Sequence, residues 1–400
     1  VTIVNDAVTE EQRIESLIDG LLADFPVAST DPVAFLGAQF DRGLAYVQFD
    51  EGFGGLGLSP RHQKQINLRL AAANAPSPFV RNPIGYGMGA PTVYTWGSEA
   101  QKRRYLRPLF TGEEVWCQLF SEPGAGSDVA SLSTRAVRDG DEWIVNGQKV
   151  WTTLAHLARF GMLVARTDTE ATKHAGLTYF VVDFDQPGVE VRPLRQMTGE
   201  AEFNEVYFTD ARIPDAERLG NVGDGWRVAL TTLMNERTAL GGGVTPRGAG
   251  PISVLTKVWN RLPEDRKNAV RRDHVMQLWV QAEVNRLTNI RASNNARRGT
   301  PGPEGSIGKA SSAEVNKKIY EMVEELLGAD GMLYSSYEMI RSKEVMTGDS
   351  LQKQFLRSRA NTIEGGTSEV MRNILGERVL GLPGDVRVDK DVPWSQVPRN

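Results

Sequence analysis

Glu236, followed by Arg237 in the stretch MNERTALGGG, lies on the same helical stripe as Ala229, Leu233 and Leu240. A carboxylate walled by apolar side chains is held above its usual pKa and can act as a base near neutral pH. The alternative is a structural carboxylate balanced by a cation, and Arg237 does not simply face it, because adjacent helical residues point about 100° apart. A rival carboxylate, Glu364, precedes Gly365-Gly366 in NTIEGGTSEVMRN, where Thr367 is placed to cap the next helix. CQLFSEPGAGSD (117–128) leaves backbone amides at Gly124 and Gly126, and the Ser127 hydroxyl, open to an anionic or carbonyl group. QKVWTT ends a strand with Trp151, Thr152 and Thr153. A flat ring beside hydroxyl donors suits a flat heteroaromatic cofactor, and equally a core Trp among β-formers.

Other chemistries fit less well. GFGGLG (52–57) matches G-x-G-x-x-G, but Ser59-Pro60 starts a new helix and no acidic residue follows at the distance a ribose partner needs, so a flexible turn is expected. The four histidines (His62, His156, His174, His274) are not paired at ligand spacing, and no metal site is expected. GAGSD is not a hydrolase elbow, and Cys117, the one cysteine, has no obvious His partner and no disulfide partner within the chain.

These residues need elements to hold them. With 400 residues, two or three packed units are expected. Apolar residues make up 40% and charged residues 24%, and the net charge of −4 gives no reason to expect a nucleic-acid partner. No apolar run approaches the ~20 residues of a membrane helix and no signal-peptide pattern opens the chain, so a soluble, cytoplasmic protein is expected.

Residues 1–113 read as helical, with Ile14, Leu17, Leu21 and Leu22 at helical spacing and a Ser98–Gln101 capping pattern. Residues 114–220 read as antiparallel strands, including a hairpin at Asn146-Gly147 inside WIVNGQKVW. Residues 221–385 return to helices, with Ser311 and Glu314 as a capping box, and 386–400 read as a poorly structured tail.

In order, SEPGAGSD with WIVNGQKVWTT, then GDGWRVALTTLMNERTALG, then FLRSRANTIEGGTSEVMRNILGERVLGLP resemble the acyl-CoA dehydrogenase family over nearly the whole chain. The resemblance implies an α+β multidomain protein: a helical N-terminal domain, a central antiparallel β-barrel-like domain and a C-terminal four-helix bundle. It implies bound FAD and a trans-2-enoyl-CoA product. Glu236 would remove the α-proton, while the β-hydrogen passes as hydride to flavin N5 and electrons go on to an electron-transfer flavoprotein. Gln118, Phe120, Ser121, Gly126, Ser127, Trp151, Thr153, Thr367 and Glu369 match cofactor-binding positions. Ser127 and Arg237 match substrate-binding ones.

Most members place the base immediately before a Gly-Thr pair. Here that position is Gly365, and Glu364 comes one residue too early. A minority place it before an arginine on the helix after the β-domain, and that position is Glu236. The family's Arg-x-x-Phe-Gly segment is not visible, and RRGTPGPEGSIGK stands in that region, with Glu325 where a glutamine is usual. This resembles a branch in which two homologous chains form α2β2 heterotetramers, some acting on steroid-CoA thioesters, so a homotetramer or such a heterotetramer is expected. Two alternatives keep the fold: a flavin oxidase or monooxygenase, and a non-catalytic subunit.

Overall fold

The computed structural model describes residues 9–240, 245–298, 302–343, 350–386, 389 and 391–397, leaving aside the side chains of 236–240, 296 and 297. Helix α1 (Glu10–Asp24) starts at a Thr9–Gln12 capping box and buries Ile14, Ile18 and Leu21, one face at helical spacing. Asp31 caps α2 (Pro32–Asp41) by accepting from the Val33 and Ala34 amides. The Gly52–Gly57 stretch before α3 (Gln63–Ala72) is a packed turn, since a Cβ on Gly54 would meet Phe40 at 2.5 Å. Short α4 (Pro78–Arg81), a π-helical turn at Gly85–Gly89 and α5 (Ala90–Trp96) lead to α6 (Glu99–Thr111), which opens at the expected Ser98–Gln101 box.

The middle of the chain forms eight strands among the described residues: β1 (Trp116–Leu119), β2 (Arg135–Asp139), β3 (Glu142–Thr153), β4 (Phe160–Arg166), β5 (Leu177–Asp183), β6 (Val189–Pro193), β7 (Phe203–Pro214) and β8 (Arg218–Leu219). Their order is β6-β7-β3-β2-β4-β5-β8, with β1 beside β4. The sheet is open, which corrects the barrel-like expectation. It ends at the two-residue β8 and at β6, whose Glu190 and Arg192 pair with each other on an exposed edge. Most pairings are antiparallel, but β1 and β2 meet β4 in parallel.

Every residue of β4 is buried because both faces of the sheet are covered. Phe160, Met162 and Val164 join Leu106, Phe110 and Ala229 on one side, while Leu163 and Ala165 join Val145, Val206 and Ile213 on the other. Each fully buried Val, Leu, Ile, Met or Phe among them contributes roughly 1.5–3 kcal/mol.

The Asn146-Gly147 hairpin does not form. Strand β3 runs straight through it, and the β2–β3 turn lies at Gly140, with φ of +63°. Asn146-Gly147 instead makes a bulge against β7: Asn146 Nδ2 donates to Asp210 Oδ1 at 2.9 Å, and Gly147 passes so close to Thr134 that a Cβ would meet its hydroxyl at 2.4 Å. The amide side chain found a partner on a neighbouring strand, and that won over the turn.

Helices α7 (Gly225–Leu240), α8 (Pro251–Arg261), α9 (Ala269–Arg297), α10 (Glu304–Leu327), α11 (Leu351–Ser358) and α12 (Ser368–Ile374) follow. Helices α8 to α12 gather around α10, whose Val315, Ile319, Met322 and Leu326 face one cluster. Ser311 is interior to α10 and starts no helix, since Pro303 precedes the first turn; its hydroxyl donates to Asn285 of α9 at 2.7 Å. None of the described helices is long and apolar enough to cross a membrane.

The described end of the chain docks on the sheet, against the expectation of a loose tail. Trp394 is buried beneath the Arg166 guanidinium at 4.3 Å, and the Trp394 and Ser395 amides donate to the Ala171 and Thr169 carbonyls at 2.9 Å.

Candidate active site

Trp151 is 57% exposed, unusual for a large aromatic, and its φ of +60° is a conformation that non-glycine residues rarely adopt. The cause is a register shift between Lys149 and Thr152 where β3 meets β7. The bulge turns Trp151 outward, edge-to-face with Phe203 at 5.7 Å. Thr152 is buried, and its Oγ1 has no hydrogen-bond partner among the described residues. Thr153 is half-buried opposite Phe203.

The Cys117–Asp128 stretch reaches this place through long-range contacts. The Val150 amide donates to the Ser121 carbonyl at 2.9 Å, and Lys149 Nζ donates to the Phe120 carbonyl at 2.9 Å. Phe120 is buried with its ring edge-on to Tyr179 at 5.9 Å, and Gln118 sits half-buried on β1. Glu122 and Ala125 exchange backbone hydrogen bonds in a tight turn, after which Gly126 and Ser127 are exposed. Asp128 is tied by Lys173 Nζ at 3.0 Å, and Lys173 also pairs with Asp389 near the chain's end.

Beneath lies a buried ion pair, Lys149 with Glu122, at 2.9 Å. Burial pushes the Glu122 carboxyl up, but the Lys149 charge and hydrogen bonds from Thr134, Lys149 and Ser133 outweigh it and hold the group at about 2. Burial pulls Lys149 below its usual range, against the Glu122 charge.

Helix α7 carries Glu236 and Arg237, whose side chains lie outside the described residues. One turn earlier, Thr232 is buried 2.9 Å from Thr92 and 3.0 Å from the Tyr179 hydroxyl, so α7 is pinned between α5 and β5. The rival Glu364 accepts two hydrogen bonds from Arg357, at 3.0 and 2.8 Å, and one from Asn361 at 2.8 Å. Thr367 caps α12 by accepting from the Val370 amide at 3.1 Å, while Glu369 is exposed and faces Arg372 at 3.5 Å. Helix α12 packs on α10, with Ser368 donating to Glu314. The hydrogen bonds of the described residues do not join Thr367 or Glu369 to the Trp151 cluster.

Family models for the N-terminal, middle and C-terminal domains of acyl-CoA dehydrogenase match residues 24–113, 117–211 and 223–380. The chain belongs to the acyl-CoA dehydrogenase family. It is 38% identical over 350 residues to the acyl-CoA dehydrogenase IpdE1 of Mycobacterium tuberculosis H37Rv, covering 86% of each chain. Of solved structures, it resembles the Tcur3481-Tcur3483 steroid ACAD with a TM-score of 0.69 and 26% identity, over 94% of this chain and 98% of that one. It resembles the ChsE4-ChsE5 complex of Mycobacterium tuberculosis with a TM-score of 0.68 and 26% identity, over 95% and 100%. As an acyl-CoA dehydrogenase, the chain is a flavoprotein-class oxidoreductase acting on acyl-CoA.

Sequence reasoning on this acyl-CoA dehydrogenase missed its buried charges. Lys149 sits on an otherwise inward face of β3, and that position was a usable signal. Glu200 and Glu202, both almost fully buried before β7, meet Lys353 and Arg357 of α11. Ile340 exchanges backbone hydrogen bonds with Gly199 and Ala201 beside them. That seam brings together residues more than a hundred positions apart, which spacing cannot reveal.

Proposed function

We propose that this chain binds FAD against Trp151 and desaturates an acyl-CoA thioester to a trans-2-enoyl-CoA, with Glu236 removing the α-proton. The observation that carries the reading is Trp151: a large ring held exposed in left-handed backbone, with Ser121 pinned to its neighbour Val150. The residues present fit a flat cofactor, since the exposed Trp151 ring stands beside the half-buried Thr153 and the half-buried Ser121. Gln118, Phe120, Ser121, Gly126, Ser127, Trp151 and Thr153 would hold the ring, and Thr367 and Glu369 the phosphate and adenosine end. Bound FAD would take up the β-hydrogen as hydride and pass electrons to an electron-transfer flavoprotein.

The chain's own contribution is position and proton removal. Helix α7, pinned at Thr232, sets where Glu236 lies. Ser127 and Arg237 would hold the thioester. Glu364 is a weaker candidate base, because both its oxygens are engaged by Arg357 and Asn361.

Residues 1–113, 114–220 and 221–385 would be the three domains, the last a four-helix bundle, in a homotetramer or an α2β2 assembly with a homologous chain. Two observations support a partner. Thr367 and Glu369 make no hydrogen bond to the ring-binding cluster of their own chain among the described residues. Met276, Val280, Val284 and Leu287 also form an exposed apolar stripe on α9, each about half exposed. The solved relatives are named as a steroid ACAD and a two-chain complex, which makes steroid-CoA thioesters a substrate class to test beside fatty acyl-CoAs.

The test is the assembled protein, with any co-encoded homologue, assayed on acyl-CoAs from short-chain to steroid side-chain thioesters with a dye acceptor. Glu236→Gln should keep its flavin and lose about 10²–10⁴-fold in rate. An assembly with no flavin absorbance, or a Glu236→Gln variant with wild-type turnover, overturns the reading.

A further inference from the structure

A strand position facing a packed core is normally apolar, yet Lys149 is fully buried on β3. Burying an ammonium costs several kcal/mol unless its partners are well placed. Lys149 Nζ has two: the Phe120 carbonyl and Glu122 Oε1, each at 2.9 Å. Glu122 is itself fully engaged, taking the Ser133 amide at 2.7 Å, the Ser133 hydroxyl at 2.9 Å and the Thr134 amide at 2.9 Å.

The pair is not needed merely to join the two segments, because the Val150 amide already donates to the Ser121 carbonyl at 2.9 Å. An ammonium on the Phe120 carbonyl adds something a neutral strand contact does not. That carbonyl and the Ser121 N–H belong to one peptide group. A charge-assisted hydrogen bond is roughly twice as strong as a neutral one. It polarises the group it holds, and neighbouring bonds in such a chain strengthen by roughly 10–30%. The Ser121 N–H donates no backbone hydrogen bond among the described residues, and Ser121 is only half-buried, which leaves this donor for a ligand.

We infer that Lys149 is a positioning residue that makes the Phe120–Ser121 peptide a strong donor toward the electron-rich edge of a bound flavin, and so favours its reduction. The inference rests on the FAD-binding reading above. Negative charge builds on the flavin as it accepts electrons, and a fixed donor aimed at it stabilises the reduced form more than the oxidised one. Lys149 acts through Ser121, without itself touching the cofactor.

The experiment measures the two-electron reduction equilibrium of the bound flavin against a reference dye, anaerobically, in the assembled protein. Lys149→Met should shift that equilibrium about tenfold toward the oxidised form, ~30 mV for two electrons. Lys149→Arg, which keeps a charged donor, should return most of the shift. Should Lys149→Met fail to fold, the Glu122→Gln/Lys149→Met double variant removes both charges together and should show the same shift. A purely structural lysine would lower the melting temperature and the flavin occupancy while leaving the equilibrium of the flavin still bound within twofold of wild type; that result overturns the inference. A wild-type assembly without flavin removes the functional reading, and this inference with it.

Discussion

Glu364→Gln separates a structural carboxylate from a catalytic one. Arg357, with a side chain 17% exposed, grips both Glu364 oxygens at 3.0 and 2.8 Å, and Asn361 adds a third hydrogen bond at 2.8 Å. A glutamine of the same shape keeps one acceptor oxygen and loses the charge. It leaves Arg357 beside the Glu202 carboxylate, at the longer distance of 3.8 Å. A hydrogen bond to a charged group is worth about 1.5–3 kcal/mol net. The Glu364 side chain is 34% exposed, so solvent screening places the loss at the lower end, about 1–2 kcal/mol. For a chain of this size that is a fall in melting temperature of about 1–2 °C. Turnover should stay within about threefold, since no proton transfer is removed. Scanning calorimetry and dye-linked turnover on the same assembled preparation read both numbers. An unchanged melting temperature with a rate loss of about 10²-fold or more would make Glu364 the base and refute the assignment to Glu236.

Two further outcomes follow from the fold. Trp394→Ala should destabilise by about 1–3 kcal/mol, below the 3–5 typical of a core Trp because Trp394 lies at the chain's edge, and should expose the last residues to limited proteolysis; a wild-type cleavage pattern would mean the end does not dock on Arg166. Glu122 has its pKa lowered from 4.5 to about 2, so its contribution, about 3 kcal/mol, is fully present above pH 4.5 and lost as the pH falls toward 2. Acid unfolding of wild type should steepen in that window and Glu122→Gln should flatten it, and equal slopes would contradict the pairing.

Local signals located the elements wherever they had no long-range competitor. The Ser98–Gln101 box starts α6, and the FGMLVAR run, apolar up to its closing Arg166, forms β4, covered on both faces. Three signals failed for one reason. Asn146-Gly147 has turn chemistry, but Asp210 on another strand satisfies the Asn146 amide, and the dipeptide becomes a bulge. Ser311 has cap chemistry, but Asn285 on α9 takes its hydroxyl. The end of the chain is polar and carries prolines, yet Trp394 finds the Arg166 guanidinium, and the Trp394 and Ser395 amides find the Ala171 and Thr169 carbonyls. In each case a partner distant in sequence outbid the local preference.

The candidate site shows the same division. Residue type singles out Trp151, Thr153 and the 117–128 stretch as candidates, and the structure brings Phe120 and Ser121 against Lys149 and Val150. Charge was the illegible part, because buried ions are read from sequence as solvated ones. Arg357 joins Glu364 to Glu202, and the Glu202 carbonyl accepts the Leu154 amide at 2.8 Å, three residues beyond Trp151. Glu364 is thus one end of a clamp that fixes the helical part of the chain against the strand carrying the exposed ring. Within that clamp Arg357 and Asn361 already donate to both Glu364 oxygens. Turning either oxygen to a substrate would mean giving up those hydrogen bonds and loosening the seam on every turnover, which is the physical ground for proposing Glu236 over Glu364 as the base.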